Sequence, residues 1–349
     1  MKKLCAGIIG CGVMGKLILR LALQNGDLEV KAVADLNYES AASVAHKFGL
    51  AASYDDPQKL LEDPDIEAVF LELPTCVRTE LALLAFAKGK HVLTEKPFAM
   101  NVIEAERLIS AKGSLIGACY SSRLRFLPSA KIVKQVIDSG KLGQLRLIRI
   151  KGNCAPAKPS QAPPVWRYNT GINGGGLLMN WGCYDLDYIF WLMDWNIHPK
   201  SIWAKNWLVP TEFKKYVAPD SDAESHYLAQ ISCGNDLLIS LERGEFVCGQ
   251  QESYCEIVGA KAGLRFDLAP GKNKELIMFE ADSKSLLTKK ILWSGDETWE
   301  SAHIGPLYDF VQAVLQKRSP ATSFEQSLLI QTITDQIYAS AKSGNSIRI

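Results

Sequence analysis

The sequence predicts a protein of two parts, an α/β part on a doubly wound parallel sheet and an α+β part on an open-faced, mostly antiparallel sheet. Short apolar runs alternate with amphipathic helical runs from residue 4 to about residue 120, which is the pattern of a parallel sheet covered by helices. From Gln144 onward β-rich runs with residue alternation dominate, so one sheet face should be packed and the other free. The 349 residues suffice for two cores, and we expect domains over residues 1–122 and 123–349.

The first part is expected to contain five strands joined by crossover helices. Short runs rich in apolar and β-branched residues predict the strands, at Leu4–Gly10, Leu28–Ala34, Ala68–Leu71, His91–Leu93 and Leu115–Cys119. Apolar residues at helical spacing predict the helices between them, at Met14–Gln24, Glu39–Phe48, Val77–Lys88 and Val102–Ala111.

The second part is expected to open after a further helix, which begins around Arg125 to Pro128 and ends in the turn Gly140-Lys141-Leu142-Gly143. Strands are then predicted at Leu145–Lys151, Ser201–Leu208, Glu224–Ser232, Leu237–Glu242, Ser253–Val258 and Lys261–Asp267. Helices are predicted at Leu177–Met193, Pro306–Gln316 and Ser323–Ser340. We expect the last two helices to pack back on the first domain.

Composition excludes several classes of function. The 39 Lys and Arg residues balance 38 Asp and Glu residues, so neither nucleic acid nor an anionic membrane is an expected partner. Nine scattered cysteines include no C-x-x-C pair and no metal-ligand spacing, which predicts no metal site and favours a reducing, cytoplasmic compartment. We expect no signal peptide, because the strand that follows Met1-Lys2-Lys3 is too short for a signal h-region, and no membrane span, because no run approaches about 20 apolar residues.

Residues 10–15 read Gly-Cys-Gly-Val-Met-Gly and predict a dinucleotide site. The run follows an apolar strand and opens an amphipathic helix, so the glycines allow a tight turn, backbone approach to a pyrophosphate, and packing of helix on strand. The helix amino terminus offers free N-H groups to the phosphates. The expected cofactor contacts in this turn are Gly10, Gly12, Val13, Met14 and Gly15.

Asp35 stands twenty residues after Gly15, at the end of the second predicted strand. An acid at this place accepts hydrogen bonds from the adenosine ribose hydroxyls and repels a 2′-phosphate. The following Leu36-Asn37-Tyr38 includes no arginine that could bind such a phosphate. We therefore expect NAD to be preferred over NADP.

Lys96 lies between Glu95 and Pro97, directly after the predicted strand His91–Leu93. Ligands of open α/β sheets bind outside the carboxyl ends of the strands, so this ammonium is expected at the cofactor site. The alternative is a solvated lysine in a strand-to-helix loop.

A second cluster follows Gly174-Gly175-Gly176, where Asn180, Tyr184 and Asp187 share one face of the predicted helix. These polar residues either line a site or face water. Trp166 and Arg167 precede the glycines, and Arg167 could hold an anionic group of the substrate or form a surface salt bridge.

Together these blocks resemble the Gfo/Idh/MocA family of sugar and polyol oxidoreductases. The similarity rests on the glycine turn at 10–15, Glu95-Lys96-Pro97, Arg125-Phe126-Leu127-Pro128, the turn at 140–143 and the segment 174–187, and it extends to the carboxyl-terminal segment 338–341. The resemblance implies a Rossmann domain joined to an open-faced sheet domain, NAD(P) as cofactor, and a carbohydrate-like substrate. It also implies a homodimer or homotetramer formed through the exposed sheet.

The resemblance also implies residue roles. Lys96 matches the family's active-site lysine, while Tyr184 stands in place of the usual catalytic histidine and Asn180 in place of the usual aspartate. Leu73 and Pro74 belong to a segment similar to the family's cofactor-side loop, and Glu95 and Lys96 would adjoin the cofactor. Substrate contacts are further expected from Asn180, Trp166, Arg167 and Arg123.

The proton chemistry of such a site follows from ordinary pKa values. A phenol with a pKa near ~10 is a poor base at neutral pH. A cation within ~4–6 Å favours the phenolate, and Lys96 and the oxidised nicotinamide are both cations. Tyr184 is thus expected to be the general base, or the acid in reduction, with Lys96 as its activator.

Two other functions stay open at this stage. One is an NAD-dependent glycoside-cleaving enzyme that oxidises a sugar hydroxyl transiently, eliminates the aglycone and retains its cofactor. The other is a non-catalytic NAD-binding sensor, since Asn180 and Tyr184 depart from the family's usual pair. Among the five histidines only His303, ahead of a late helix, is kept as a further candidate.

Overall fold

The computed structural model describes residues 2–284 and 286–349. These residues divide into two compact units. Unit 1 comprises Met1–Arg123 and His303–Gln331, and unit 2 comprises Leu124–Ala302 and Thr332–Ile349.

Within the described part of unit 1, six strands form one parallel sheet in the order β3-β2-β1-β4-β5-β6. The strands are β1 Leu4–Ile9, β2 Leu28–Ala34, β3 Ala52–Tyr54, β4 Ala68–Leu71, β5 His91–Thr94 and β6 Gly117–Cys119. The predicted doubly wound sheet is confirmed. The short strand β3 was not predicted, because all of its three residues are only half-buried and show no apolar run.

Helices connect the strands of this sheet. They are α1 Val13–Ala22, α2 Tyr38–Phe48, α3 Pro57–Glu62, α4 Thr75–Ala87 and α5 Val102–Lys112. The six-residue helix α3 was also missed by the sequence analysis. A 3-10 helix over Tyr120–Phe126 follows β6.

Strand β4 shows how the sheet of unit 1 is buried on both faces. Ala68 and Phe70 pack into one apolar cluster, while Val69 and Leu71 pack into a second one. Successive side chains of a strand point to opposite faces. The uninterrupted apolar run in the sequence is therefore the consequence of two covered faces.

Within the described part of unit 2, nine strands form a second sheet in the order β14-β13-β12-β11-β7-β10-β9-β8-β15. They are β7 Leu145–Asn153, β8 Pro199–Leu208, β9 Glu224–Cys233, β10 Leu238–Gly244, β11 Glu252–Gly259, β12 Ala262–Phe266, β13 Lys274–Ala281, β14 Leu287–Gly295 and β15 Ile347–Arg348. The central pair β7 and β10 is parallel and the other neighbours are antiparallel. This confirms the mostly antiparallel sheet.

The remaining helices are α6 Pro128–Asp138, α7 Thr170–Asn173, α8 Cys183–Leu192, α9 Trp299–Gln316 and α10 Phe324–Ser343. A π-helical turn over Leu178–Gly182 precedes α8, and a 3-10 helix spans Thr211–Tyr216. The predicted start of α9 at Pro306 is wrong, because the helix begins seven residues earlier and contains the proline. The division between the two units falls inside α9 and inside α10.

The sheet of unit 2 has one packed face, as the alternation along β9 shows. Ala229, Ile231 and Cys233 are buried, whereas Gln230 and Ser232 between them are exposed. Strands β13 and β14 were not predicted; β14 is exposed over its first five residues and therefore carries no inward apolar period.

Candidate active site

The glycine turn between β1 and α1 has the geometry of a close backbone approach. Gly10 adopts a φ of +103°, in the left-handed region that favours glycine. A Cβ on Gly10 would meet the carbonyl oxygen of Glu72, and one on Gly15 would meet the carbonyl oxygen of Gly10. A Cβ on Gly12 would meet nothing within 4 Å. The middle glycine therefore leaves open space above the turn.

The amino terminus of α1 faces that open space. Gly12 is its N-cap, and no side chain of the described residues caps this end. The first turn of a helix carries N-H groups without helical partners and a partial positive charge, which suits phosphate oxygens. Val13, the first helical residue, is 85 % exposed.

Asp35 at the end of β2 is held against the same turn. One carboxylate oxygen accepts the Cys11 N-H at 2.8 Å, and the other accepts the Asn37 N-H at 2.9 Å. A carboxylate has about four acceptor positions, so hydroxyl groups can still bind. Leu36, the next residue, is 85 % exposed. Turn, helix end and acid together fit a dinucleotide with its ribose hydroxyls on Asp35.

The loop after β4 adjoins the glycine turn. Leu73 lies next to Gly10, since a Cβ built on Gly10 would lie 3.1 Å from the Leu73 side chain. Pro74 is the N-cap of α4. These two predicted cofactor residues follow the carboxyl end of β4, and the glycines follow the carboxyl end of the neighbouring parallel strand β1.

Glu95 organises the segment after β5. Its carboxylate accepts the Lys96 backbone N-H at 2.9 Å and pairs with the Arg123 guanidinium at 2.7 Å. Burial opposes ionisation, but the charges of Arg123, Lys96 and His303 lower the pKa of Glu95 to about 2. The Lys96 residue is half-buried while Glu95 and Pro97 on either side are buried. The bond between Lys96 and Pro97 is cis.

Arg123 occupies a different environment from the one expected of a substrate contact. It is 3 % exposed, its Nε donates to the Tyr120 carbonyl at 3.0 Å, and its Nη1 contacts His303 Nε2. The expected substrate contact by Arg123 stays a prediction. The contacts described here hold Glu95 and thereby the Lys96 backbone.

Glu72 is a second buried carboxyl group in this region. Within the described residues neither of its carboxyl oxygens has a hydrogen-bond partner, and the same is true of the Tyr120 hydroxyl. Burial, and next the negative charge of Glu95, raise the pKa of Glu72 well above its ordinary value. The pKa values of Glu72 and Glu95 are therefore shifted in opposite directions, although the two residues follow neighbouring strands of the same sheet.

The glycine run of unit 2 is held by Glu224. This buried carboxylate accepts the N-H of Gly176 at 3.0 Å, the N-H of Leu178 at 2.8 Å and the hydroxyl of Tyr338 at 2.9 Å. A Cβ on Gly176 would meet the backbone of Glu224. The third glycine therefore permits a close approach between two backbones, and the acid caps the helical segment that follows.

Asn180 and Tyr184 lie on that segment. Asn180 belongs to the π-helical turn, a feature common at functional sites, and Tyr184 is the second residue of α8. Asn180 is 8 % exposed and Tyr184 is 4 % exposed. Asp187 forms a buried ion pair with Arg125 at 3.1 Å. Of the two alternatives left open by the sequence, a stripe that faces water is excluded.

Asp185 anchors the same helix to the sheet. It accepts two hydrogen bonds from Arg243 of β10, at 2.9 and 2.6 Å, and is completely buried. The Arg243 guanidinium lies 4.8 Å from the ring centre of Trp181. Burial opposes its charge, but Asp185 raises the pKa of Arg243. A bidentate pair of this kind fixes orientation as well as position.

Arg167 is engaged by a neighbouring acid. Its guanidinium pairs with Glu245, which also accepts the hydroxyl of Tyr168. The adjacent Trp166 is 38 % exposed. The surface ion pair that the sequence left as an alternative for Arg167 is thus formed, and substrate contact by Trp166 and Arg167 stays a prediction.

Both parts of the chain match a known family. Residues 4–114 match the family described as "Oxidoreductase family, NAD-binding Rossmann fold", and residues 131–265 match "GFO/IDH/MocA C-terminal domain". The chain belongs to the GFO/IDH/MocA family. It is therefore a member of a family of NAD-binding oxidoreductases, as its motifs predicted.

Relatives of this GFO/IDH/MocA protein include named dehydrogenases. Myo-inositol 2-dehydrogenase of Thermotoga maritima is 24 % identical over 91 % of this chain and 90 % of its own length. D-glucoside 3-dehydrogenase of Escherichia coli is 25 % identical over 98 % of this chain and 96 % of its own length. Among solved structures, levoglucosan dehydrogenase in complex with NADH and levoglucosan has the same fold, with a TM-score of 0.85, 22 % identity and complete coverage of both chains.

Two further observations concern the described part of this GFO/IDH/MocA chain. No helix in it is long and apolar enough to cross a membrane. No group of three or more His, Cys, Asp or Glu side chains in it is arranged to hold a metal ion.

Sequence reasoning missed Glu72, Glu224 and Arg243. Glu72 could have been found, because it follows a buried parallel strand just as Glu95 does. Glu224 and Arg243 meet their partners across 46 and 58 residues, a distance over which the sequence pattern carries no pairing signal. Asp185, an acid within an apolar helix, was the available hint that a buried cation exists.

Proposed function

We propose that this GFO/IDH/MocA protein is an NAD-dependent oxidoreductase that acts on a carbinol carbon of a sugar, polyol or sugar derivative. Residues 1–122 would hold the cofactor and residues 123–349 the substrate. NAD, when bound, supplies the hydride acceptor. The observation that carries the proposal is the position of Lys96. It follows the carboxyl end of β5, in the same parallel sheet whose strand β1 precedes the glycine turn. Lys96 is half-buried, and the adjacent Glu95 is buried and ionised.

The proposed roles of the side chains follow from what alcohol oxidation requires. As the hydride leaves the carbon, the hydroxyl group must lose its proton. Tyr184 would take that proton as a phenolate, and the Lys96 ammonium would favour the phenolate and donate a hydrogen bond to the substrate oxygen. The Asn180 amide would orient a neighbouring hydroxyl. Asn180 carries no titratable proton, so Lys96 and Tyr184 would form the relay.

The substrate class is supported by the names of the relatives. The relatives named above are dehydrogenases of myo-inositol and of D-glucosides, and the solved structure of similar fold holds levoglucosan. Each of these compounds is a polyhydroxylated ring. The balanced charge of the chain fits a neutral substrate of this kind.

The NAD preference is supported by Asp35. Its carboxylate lies at the turn, and the next residues are Leu36, Asn37 and Tyr38. A 2′-phosphate would meet a negative charge and no arginine in this stretch. Measured kcat/KM values with NAD and NADP should favour NAD, and Asp35→Ser should narrow the ratio. A wild type that prefers NADP would overturn the preference.

The decisive experiment compares wild type, Tyr184→Phe and Lys96→Ala on a panel of sugars, polyols and glycosides. Ultraviolet absorbance of NADH and release of aglycone are recorded in the same reactions. We expect NADH formation in the wild type, a loss of about 10²–10⁴-fold in both variants, and unchanged NAD binding by calorimetry. Aglycone release without NADH would instead show redox-assisted glycoside cleavage. NAD binding with no reaction on any compound would show a sensor.

Two properties of the molecule outside the site are also proposed. Trp203, Trp207 and Leu208 of β8 are exposed on the open sheet, and an exposed apolar patch favours self-association. We expect a homodimer or homotetramer, which light scattering would reveal. The nine cysteines, all of which lie in the described residues, form no disulfide with one another, which supports a reducing, cytoplasmic compartment.

A further inference from the structure

Three aromatic side chains of unit 2, Trp181, Tyr184 and Trp299, form a cluster. The ring of Trp181 lies 5.7 Å from that of Tyr184 and 5.8 Å from that of Trp299, both edge to face. The rings of Tyr184 and Trp299 are 6.4 Å apart. Tyr184 is buried, whereas Trp299 is 38 % exposed. Trp181 is half-buried, so the most exposed ring of this cluster is the indole of Trp299, next to the proposed proton acceptor.

The Trp181 ring of this cluster is held in place by Arg243. Arg243 covers one face of Trp181 at 4.8 Å and is itself bound bidentately by Asp185. Such a cation over an indole is attracted by the ring electrons. Trp181 is thus in contact with a guanidinium group and with two aromatic rings, which restricts the movement of its side chain.

Trp299 is also positioned before any ligand binds. The preceding Glu297 is buried, accepts the backbone N-H and the hydroxyl of Ser129 at 2.8 and 3.0 Å, and pairs with Lys274. Thr298 and Ser301 exchange hydrogen bonds at the start of α9, at 3.1 and 3.2 Å. A large apolar side chain on so constrained a backbone loses little conformational freedom when it binds a ligand.

We propose that Trp299 is a stacking platform for a six-membered polyhydroxylated ring, a pyranose or a cyclitol, and that it selects such rings over acyclic polyols. The inference rests on the proposed function, whose site it extends. A ring with equatorial hydroxyls presents several C-H groups on one face, and the oxygens polarise these bonds toward positive hydrogens. Aromatic faces are negative. An acyclic polyol has no such face and must also lose torsional freedom on binding.

The test compares Trp299→Leu, which keeps a large apolar side chain, with Trp299→Phe, which keeps an aromatic face. Both are assayed with myo-inositol, methyl β-D-glucopyranoside and the acyclic polyol sorbitol at saturating NAD. We expect Trp299→Leu to lower kcat/KM for the rings about tenfold, to leave the sorbitol value within about twofold, and Trp299→Phe to retain most ring activity. Equal losses for rings and sorbitol, or no loss, overturn the proposal.

A binding measurement separates this proposal from the proposed function. The protein saturated with NADH is titrated calorimetrically with methyl β-D-glucopyranoside, for the wild type and both variants. Weaker binding by Trp299→Leu alone supports the platform even if no compound reduces NAD, an outcome that would defeat only the proposed function. The proposed stacking role of Trp299 is overturned if the wild type and Trp299→Leu bind the glucoside with equal affinity. It is also overturned if the wild type does not bind it.

Discussion

The buried carboxylates of the two units are stabilised in different ways. In unit 2 each has its own donors: Asp185 has Arg243, Asp187 has Arg125, and Glu224 has two N-H groups and a tyrosine. In unit 1, Glu95 is paired with Arg123, whereas Glu72 beside it has no hydrogen-bond partner among the described residues. The difference teaches that the acids of unit 2 are held by direct donors, whereas in unit 1 burial and the charge of Glu95 raise the pKa of Glu72.

This contrast corresponds to what each region would do in the proposed reaction. The helix with Tyr184 needs a fixed orientation, and direct ion pairs supply it. The strand ends with Lys96 need an electrostatic environment that favours cations, and the ionised Glu95 contributes to it. Variants in unit 1 should therefore change chemistry or pH dependence, while those in unit 2 should first change stability.

The largest effect is expected for Lys96→Ala. Loss of the ammonium removes both the activator of Tyr184 and a donor to the substrate oxygen, so kcat should fall about 10³-fold. The NAD affinity and the unfolding midpoint should stay close to those of the wild type. Calorimetry, turnover assays and urea unfolding would measure the three quantities. A large fall in stability would break the proposed contrast between the units.

Arg243→Met should have the next largest effect, and mainly on stability. Removing one partner of a buried ion pair leaves Asp185 uncompensated, which costs about 3–5 kcal/mol. The matched control is Arg149→Met, since Arg149 pairs with Glu256 with 41 % and 26 % of the side chains exposed. That pair should contribute below about 1 kcal/mol. Urea unfolding would measure the free energy of unfolding of both variants. Similar losses for Arg243→Met and Arg149→Met would contradict the stabilising role of the buried pair.

Glu224→Gln should cost about 1–3 kcal/mol, because the amide presents N-H groups where Gly176 and Leu178 already donate. The kcat should fall with it, since the segment with Asn180 and Tyr184 begins there. Tyr338→Phe is the control that removes only one hydrogen bond to Glu224, with a loss of about 1 kcal/mol. Equal losses in the two variants would argue against the helix-capping role.

The smallest effect concerns Glu72 and its pH dependence. Its raised pKa means that the folded state keeps a proton that the unfolded state releases above the ordinary value of 4.5. The stability of the wild type should therefore fall relative to that of Glu72→Gln as the pH rises above 4.5. Glu95 has the opposite sign, with stability lost as pH falls toward its pKa of about 2. Parallel pH profiles of wild type and Glu72→Gln would refute the protonated state.

The cofactor side could be predicted well because its signals are local. The glycines at 10–15 and Asp35 lie at a spacing that one strand-helix-strand unit imposes, and the structure brings Asp35 to the turn. The strands at 28–34 and 68–71 were predicted to the residue because the sheet is covered on both faces.

The helix region of unit 2 was predicted only in part. The sequence placed Asn180 and Tyr184 on one helix, whereas the structure divides it into a π-helical turn and α8. At the start of this segment Glu224, which is distant in the sequence, accepts the N-H groups of Gly176 and Leu178. Strand β14 could not be predicted, because its first five residues are exposed and show no alternation of apolar and polar residues. Strand prediction depends on such an alternation, which one buried face produces.

The sequence by itself determined the parallel sheet, the glycine turn with its acid and the position of Lys96 after a buried strand. Each depends on neighbours within one supersecondary unit, where steric rules connect spacing to geometry. Only the tertiary structure decided that Arg243 holds Asp185, that Glu224 caps the glycine run and that Trp299 lies against Trp181. These contacts join residues far apart in the chain, and a residue's identity does not specify which distant partner folding brings to it.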